Sequence, residues 1–381
     1  MGKEQSCSMR KTAVMSVWIH KAVFGLCVIL SAALCTWCAA DNLIPIFRNH
    51  YEKWLLHAAD VTFNETMKQE TVNIPLWEVY PQTDILHGGF EENGSVQLWR
   101  EPEMPKAAAT PDPNRKTGTV EVLKMNAGKK VDCFSVKDET GLGLDLEKEL
   151  LAEPDVHIKK DGSPVVLLYS THTTESFILE DGAKWYYLDD DFRSLDPQEN
   201  IVSVAEEAAR VIEAGGFGVI HDKTVHDNPA YSGSYARSME TVQKNLKEYP
   251  TIQITVDIHR DAFGESGTVR YKPVAQVEGK NAAQIMIMTG CDLSDNPTFP
   301  DWRENLHLAL RLQQTGETLF PGLYRPLYFC CRNYNMQATH GSLLVEIGTD
   351  VNTLEEAQYS GKLLGETILR VLEDLAARGE Y

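Results

Sequence analysis

Residues 252–259 read IQITVDIH, and this short stretch decides the fold class. Side chains of a β-strand point alternately to its two faces, so the β-branched residues at the even positions share one face. The opposite face carries Gln253, Thr255, Asp257 and His259. The alternation predicts a strand that packs its apolar face on a core and presents a polar face ending at His259.

Similar apolar runs recur along the second half of the chain. They are 165–170 (VVLLYS), 217–221 (FGVIH), 284–288 (QIMIM) and 342–348 (SLLVEIG). Each has the length and β-branched content of a buried strand.

Helix signals lie between these runs. Asp196, Pro197 and Glu199 resemble an N-cap, a first-turn proline and the acidic member of a capping box, for a helix that reaches Gly215. Thr353 and Glu356 give the same signature before a final helix to about residue 375. Strands that alternate with helices predict an α/β fold with a largely parallel sheet, whose functional residues lie at the carboxyl ends of the strands.

The charge balance excludes one large class of function. The 381 residues include 36 Lys and Arg against 55 Asp and Glu, for a net charge of −19. A surface this acidic repels phosphates, so nucleic-acid binding is set aside. The sequence also lacks HExxH, GxSxG, Walker and GxGxxG motifs, which disfavours the chemistry tied to each.

The first 40 residues have the pattern of a membrane anchor. Residues 22–40 contain no charged side chain and follow a basic segment. As a helix, they would just cross a hydrocarbon core of about 30 Å, with the basic end in the cytoplasm. A cleaved signal peptide is the alternative, because Ala39 and Ala40 could form a processing site, although Cys38 suits that site poorly.

The chain divides into three predicted parts. Residues 1–40 form a cytoplasmic tail and single-pass anchor, and 41–160 an extracytoplasmic region that includes a Pro- and Ala-rich linker at 101–118. Residues 161–381 form the α/β domain that holds these strands and helices. Beyond the anchor the cysteines are Cys133, Cys291, Cys330 and Cys331, and their spacing predicts neither a zinc ribbon nor a dense disulfide framework.

The first candidate site follows the run 165–170, where the sequence continues THTTES. His172 and Glu175, three residues apart at the end of a strand, could turn an imidazole and a carboxylate toward one metal ion. The alternative is a polar loop whose Thr and Ser residues cap a following helix.

The second candidate is His259, which has a carboxylate two residues to either side. Asp257 or Asp261 could hold its second ring nitrogen, as is usual for a metal-binding histidine. A surface salt bridge is the alternative.

The third candidate is Glu346 within LLVEIG, since burying a carboxylate in an apolar strand is costly without a metal, a cation or hydrogen-bond donors. Such a carboxylate could act as a general base, or it could point to solvent from an edge strand.

A fourth segment, 219–229, carries His221 and His226. These histidines could bind a metal or shape a turn beside nearby aspartates. Arg237 begins the helix that follows and could bind a substrate carboxylate. Two histidines and two glutamates at the ends of neighbouring strands are the inventory of an open zinc site.

With these segments in view, the sequence resembles the stage II sporulation protein P family. The matching motifs, in order, are THTTESF, VIHDKTVHDNPAYSGSYARS, DIHRDA, PGLYR and LLVEIGTDVNTLEEA, and they cover about residues 165–375. The resemblance implies a twisted sheet flanked by helices, similar to that of N-acetylmuramoyl-L-alanine amidases. The pair Cys330-Cys331 departs from the expected pattern.

The resemblance also implies site roles and a biological setting. His172 and His259 become zinc ligands with Glu175, or His221 in its place, as the third, and Glu346 becomes the catalytic residue. The implied substrate is the amide between muramic acid and L-alanine in peptidoglycan, with cleavage of peptide cross-links as a further activity. The implied setting is the sporulation septum during engulfment, with stage II sporulation protein D and a multi-span membrane protein as partners. A non-catalytic wall-binding scaffold and a zinc polysaccharide deacetylase are the competing functions.

Overall fold

The computed structural model describes residues 110–180, 184–264, 267–294 and 297–378. The predicted anchor at 22–40 and most of the region 41–160 lie outside these residues. In the parts of the chain that are described, no helix is both long enough and apolar enough to cross a membrane.

The strands form two sheets. In chain order they are β1 Thr117–Leu123, β2 Lys129–Val131, β3 Phe134–Asp138, β4 Pro164–Tyr169, β5 Trp185–Tyr187, β6 Gly218–His221, β7 Ile254–Asp261, β8 Val269–Val277, β9 Lys280–Ala283, β10 Ile285–Gly290, β11 Leu327–Cys330 and β12 Gly341–Thr349. The main sheet has the order β2-β3-β11-β10-β12-β7-β4-β6, and the smaller sheet has the order β5-β1-β8-β9.

The main sheet is largely parallel, as predicted, but not entirely. β12, β7, β4 and β6 run parallel to one another. β10 pairs antiparallel with β12, and β2 pairs antiparallel with β3. β3, β11 and β10 therefore run opposite to β12, β7, β4 and β6, and the second group brings the predicted site residues to one edge.

The helices are α1 Leu146–Leu150, α2 Ile201–Ala214, α3 Ser234–Glu248, α4 Trp302–Leu319 and α5 Leu354–Arg378. Val166 and Leu168 of β4 pack in the core that includes α2, α4 and α5. Their neighbours Leu167 and Tyr169 pack with Val242 of α3. Because side chains alternate along a strand, α3 covers the opposite face of the sheet from the other long helices.

The five predicted strands are confirmed as β4, β6, β7, β10 and β12. The capping box at α5 is also confirmed, since Glu356 N–H donates to Thr353 Oγ1 and Thr353 N–H donates to Glu356 Oε2. The predicted start of α2 is wrong. Asp196 forms a turn with Gln198, and Asn200 is the residue that caps the helix, by accepting from Val202 N–H at 3.0 Å.

Segments before residue 161 also belong to the folded unit. β2 and β3 extend the main sheet, and β1 lies in the smaller sheet. Val131, Phe134 and Leu146 are buried in the main core. The described structure therefore continues across the predicted boundary at 160, while the division of the whole chain into three parts stays a prediction.

Candidate functional site

The segment that follows β4 is a polar loop that is buried. Every residue from 170 to 176 is buried, including His172 and Glu175 at 6% and 5% exposure. Buried polar groups must find hydrogen-bond partners, and Thr174 finds them on Asp227, whose carboxylate accepts from both its N–H and its hydroxyl. The loop is therefore held rigid from a second segment of the chain, the loop after β6.

The loop brings His172 and Glu175 to the end of β7, where His259 lies. The rings of His172 and His259 meet edge to face with centroids 5.3 Å apart. Glu175 Oε2 lies 3.5 Å from His259 Nδ1. The three residues are thus adjacent, as the sequence pattern predicts.

Each of these side chains is oriented by a further contact. Tyr231 Oη lies 3.0 Å from His172 Nε2 and its ring stacks on that imidazole. Asp257 Oδ1 lies 2.9 Å from His259 Nε2, within ion-pair distance although not aligned as a hydrogen bond. Glu175 Oε2 accepts the N–H of Arg260 at 3.1 Å.

Asp257 is itself fixed by neighbours on the α3 side of the sheet. It is fully buried, and its two oxygens accept from Thr171 N–H at 2.7 Å and Thr171 Oγ1 at 2.6 Å. Thr171 Oγ1 lies 2.7 Å from Ser238 Oγ, which also accepts from Asn335. A continuous polar chain thus runs from His259 into the protein interior.

Burial and charge push the two histidines in opposite directions. Burial lowers the pKa of His172 to about 3, against a smaller raising effect from Glu175. Burial also opposes charge on His259, but Asp257 and Glu175 outweigh it and raise its pKa well above the usual range. Burial would raise the pKa of Glu175, yet His259 and Arg260 hold it far below normal. His172 is therefore a neutral donor, while His259 forms a charged pair with carboxylates.

Glu346 lies on β12, directly across from His259 on β7. The residue is half-buried, and its Oε2 is shielded from solvent without a hydrogen-bond partner in the described residues. Burial raises its pKa well above normal, and Asp261 and Glu175 add to the rise. Arg325 reaches the same region and donates to Asp261 Oδ2 at 2.6 Å. Glu346 is thus a carboxylate beside the histidines with an unused acceptor atom.

These residues fit a zinc ion by donor chemistry, although within the described ranges no three His, Cys, Asp or Glu side chains are already arranged as a metal site. His172 Nδ1 is buried and has no hydrogen-bond partner among the residues described. Two ligands of a tetrahedral zinc, each about 2.1 Å from it, lie about 3.4 Å apart. The 3.5 Å between Glu175 Oε2 and His259 Nδ1 matches that spacing.

The other two candidate histidines have structural contacts. His221 Nδ1 lies 2.9 Å from Glu206 Oε2, on α2. His226 lies between Ser170 O, at 2.8 Å from Nδ1, and Thr241 Oγ1, at 2.9 Å from Nε2. The geometry therefore favours Glu175 over His221 as the third donor.

Arg237, predicted to bind a substrate carboxylate, makes hydrogen bonds within the loop before α3. Its guanidinium donates to three main-chain carbonyls, those of His226, Ala230 and Ser232. These bonds use one N–H of each guanidinium nitrogen, so Arg237 shapes the loop before α3. Its contact with substrate stays a prediction.

Sequence reasoning missed one cation that contacts the loop. Arg193 pairs with Asp227 at 2.7 Å, and its guanidinium lies 4.9 Å above the ring of Tyr231. It lies opposite Glu175 in an isolated antiparallel bridge. No motif near residue 193 indicates this contact, because it forms only when the chain folds back and brings Asp227 beside Arg193. Arg325, by contrast, lies within the PGLYR motif and could have been found there.

Comparison with known proteins gives a family match. The model of the family described as Stage II sporulation protein P matches residues 101–369, which is more than half of the chain. The stage II sporulation protein P of Bacillus subtilis (strain 168) is 26% identical over 232 residues. That alignment covers 57% of this chain and 54% of the relative, so the chain matches about half the length of this curated relative.

Similarity to solved structures is more distant. The CwlD amidase of Clostridioides difficile, solved in complex with the GerS lipoprotein, is 11% identical with a TM-score of 0.35, over 56% of this chain and 98% of that one. The N-acetylmuramoyl-L-alanine amidase AmiC2 of Nostoc punctiforme is 12% identical with a TM-score of 0.31, over 56% and 98%. These TM-scores are too low to carry an argument. The family match over residues 101–369 stands without them, and the chain belongs to the stage II sporulation protein P family.

Proposed function

We propose that this chain is a membrane-anchored, zinc-dependent peptidoglycan hydrolase that cleaves the amide between muramic acid and L-alanine. The observation that carries the proposal is the meeting of His172, Glu175 and His259 beside Glu346, whose Oε2 has no hydrogen-bond partner in the described structure. Three donors next to a separate carboxylate are what a hydrolytic zinc site requires.

His172 Nδ1, His259 Nδ1 and Glu175 would hold the zinc. When bound, zinc supplies Lewis acidity, which polarises a carbonyl and acidifies water. The neutral state of His172 suits this role, because its Nδ1 carries a lone pair when Tyr231 occupies Nε2 as an acceptor. Asp257 would hold His259 with Nδ1 toward Glu175 and would face the protonated Nε2, so that Nδ1 can give up its proton and become a donor to zinc.

Glu346 would handle the proton. Its Oε2 would accept a proton from the attacking water and then deliver it to the amine that leaves. Glu346 is well suited to this because Arg325 is engaged by Asp261 and does not hold it in a salt bridge in the described structure. The rigid loop 170–176 would keep the reacting groups aligned, since the contacts to Asp227 restrict its movement.

Peptidoglycan is the proposed substrate, and cleavage of peptide cross-links is proposed as a further activity of the same site. Action at the sporulation septum, together with stage II sporulation protein D and a multi-span membrane protein, is proposed from the motifs that the chain shares with its family.

The test uses the full-length chain and purified peptidoglycan sacculi. An amidase releases stem peptides that begin with a new L-alanine amino group, loses this activity to a chelator and regains it with zinc. Release of acetate without stem peptides identifies a deacetylase instead. Binding to sacculi without any released product identifies a wall-binding scaffold. Either of the last two outcomes overturns the proposal.

A further inference from the structure

Two cysteines far from the candidate site lie within bonding reach of each other. Cys291 follows β10 and Cys331 follows β11, and their Sγ atoms are 3.2 Å apart. Both are free thiols in the structure. This contact was not evident from the sequence, because 40 residues separate the two positions.

The backbone sets the two cysteines opposite each other. β10 and β11 are parallel, with Gly290 across from Cys330, and Cys291 N–H donates to Cys330 O at 3.0 Å. Continuing this register by one residue puts Cys291 across from Cys331. Neighbouring strands lie about 4.8 Å apart, which is inside the range of about 4.4–6.8 Å that Cα atoms of a disulfide span.

The alternation of side chains explains why Cys331, and not Cys330, lies beside Cys291. Cys291 belongs to the core on the α4 side of the sheet, as do Ile285 and Ile287 at alternate positions before it. Residues directly opposite on neighbouring strands share a face, whereas consecutive residues do not. Cys331 therefore shares the face of Cys291, and Cys330 points to the other.

Close packing leaves the pair little room to separate. A Cβ on Gly290 would collide with the main-chain oxygen of Arg332, so β10 passes directly against the segment that follows Cys331. The same segment then reaches Asn335, whose amide donates to Tyr235 O and Ser238 Oγ on α3. The thiols are thus held together by structure on both sides.

We propose that Cys291 and Cys331 form a disulfide by exchange with a small or protein disulfide, and that this bond fastens the segment 331–335 to the end of β10. Cys331 is exposed and Cys291 is 2% exposed. Exchange begins when the Cys331 thiolate attacks the external disulfide and expels one thiol. The Cys291 sulfur then attacks Cys331 Sγ, loses its proton and expels the second thiol. The external disulfide is reduced to two thiols and the two cysteines are oxidised.

Burial raises the pKa of the Cys291 thiol, and that of Cys330 to about 12, so neither is suited to begin the exchange. The order of attack therefore follows from exposure and ionisation together. The bond closes a loop of about 40 residues. It stabilises the protein because it lowers the conformational entropy of the unfolded chain more than that of the folded chain.

The experiment incubates the reduced full-length chain with oxidised glutathione and maps its peptides after trypsin. The proposal expects a linked pair, 281–303 joined to 312–332, that disappears on reduction and is lighter by two hydrogens than the free peptides. Because 312–332 contains both adjacent cysteines, Cys331→Ser should abolish the link and the matched Cys330→Ser should retain it. The oxidised chain should melt about 5 °C or more above the reduced one.

Three results overturn the proposal. They are a folded chain that yields no linked pair, a link that survives in Cys331→Ser, and a stable glutathione adduct on Cys331 with Cys291 still free. Circular dichroism of each variant establishes that it is folded. Since neither cysteine touches the candidate site in the described structure, peptidoglycan hydrolysis by reduced Cys331→Ser should match the unmodified chain, and its outcome is independent of the proposed function.

Discussion

Glu346 of β12 and His259 of β7 are directly paired residues on two neighbouring parallel strands. The pairing fixes the distance between a candidate proton carrier and a candidate metal donor through backbone hydrogen bonds of the sheet. Groups supported in this way hold their geometry better than groups on a mobile loop. The first prediction concerns this pair.

Glu346→Gln should separate proton transfer from metal binding. The change keeps the size of the side chain and removes its capacity to accept a proton, so amide hydrolysis should fall by about 10²–10⁴-fold. Zinc content, melting temperature and binding to sacculi should stay unchanged. Loss of zinc in this variant would indicate that Glu346 is a ligand. Normal hydrolysis would contradict the proposed mechanism.

The ligand set can be tested by metal content alone. The purified chain should bind about one zinc, and His172→Ala or His259→Ala should lose most of it, because three protein donors hold a catalytic zinc. Measurement is by elemental analysis after dialysis. Folded variants that keep full zinc content would rule out these histidines as ligands.

The third ligand is separated by a matched pair of variants. Glu175→Ala should weaken zinc binding, while His221→Ala should not, since the ring of His221 is engaged by Glu206. The measurement is the zinc dissociation constant of each variant by competition with a coloured chelator. The opposite pattern would transfer the role to His221.

Asp257→Asn should weaken zinc without removing a ligand. The carboxylate orients His259 and is held by Thr171, and loss of such a supporting group commonly costs about 10–100-fold in metal affinity or activity. Titration of the variant with zinc measures the effect. As a control, Thr255→Val alters a buried polar contact with Ser342 on the same face of β7 and should leave zinc affinity within about threefold of the unmodified chain. Equal losses in both variants would point to general disruption of the strand.

Arg237→Ala discriminates loop support from substrate binding. Loss of a donor that holds three carbonyls should destabilise the fold by about 1–3 kcal/mol, measured by urea unfolding. In the folded variant, KM for peptidoglycan fragments should change little. Unchanged stability with a large rise in KM would restore the substrate contact that the sequence suggested.

The sequence predicts the strands of the second half of the chain well because each is a continuous apolar run ended by polar residues. It also predicts His172, Glu175, His259 and Glu346 as a group, since parallel strands bring their carboxyl ends to one edge. The start of α2 was misjudged because Asp196 can cap its own turn as readily as a helix. Local preferences do not distinguish the two outcomes.

Contacts between distant segments are what the sequence could not supply. Arg193 pairs with Asp227 across 34 positions, and Cys291 meets Cys331 across 40. The sequence suggests that Arg237 is available to bind a ligand. Its hydrogen bonds to main-chain carbonyls depend on how the loop before α3 folds back, which the sequence does not show. In each case the sequence shows the type and charge of the residue, but it does not show which distant residue is its partner.

The reversal of strand direction between β12 and β10 has a consequence for how this protein can change over time. β12, β7, β4 and β6 finish at the edge with the histidines, whereas β10 and β11 finish at the opposite edge, where the cysteines lie. The cysteines themselves make no contact with the candidate site in the described structure, although the segment after Cys331 reaches Ser238 through Asn335. Substitutions at one edge could therefore change the stability of the protein while the candidate site at the other edge stays constant.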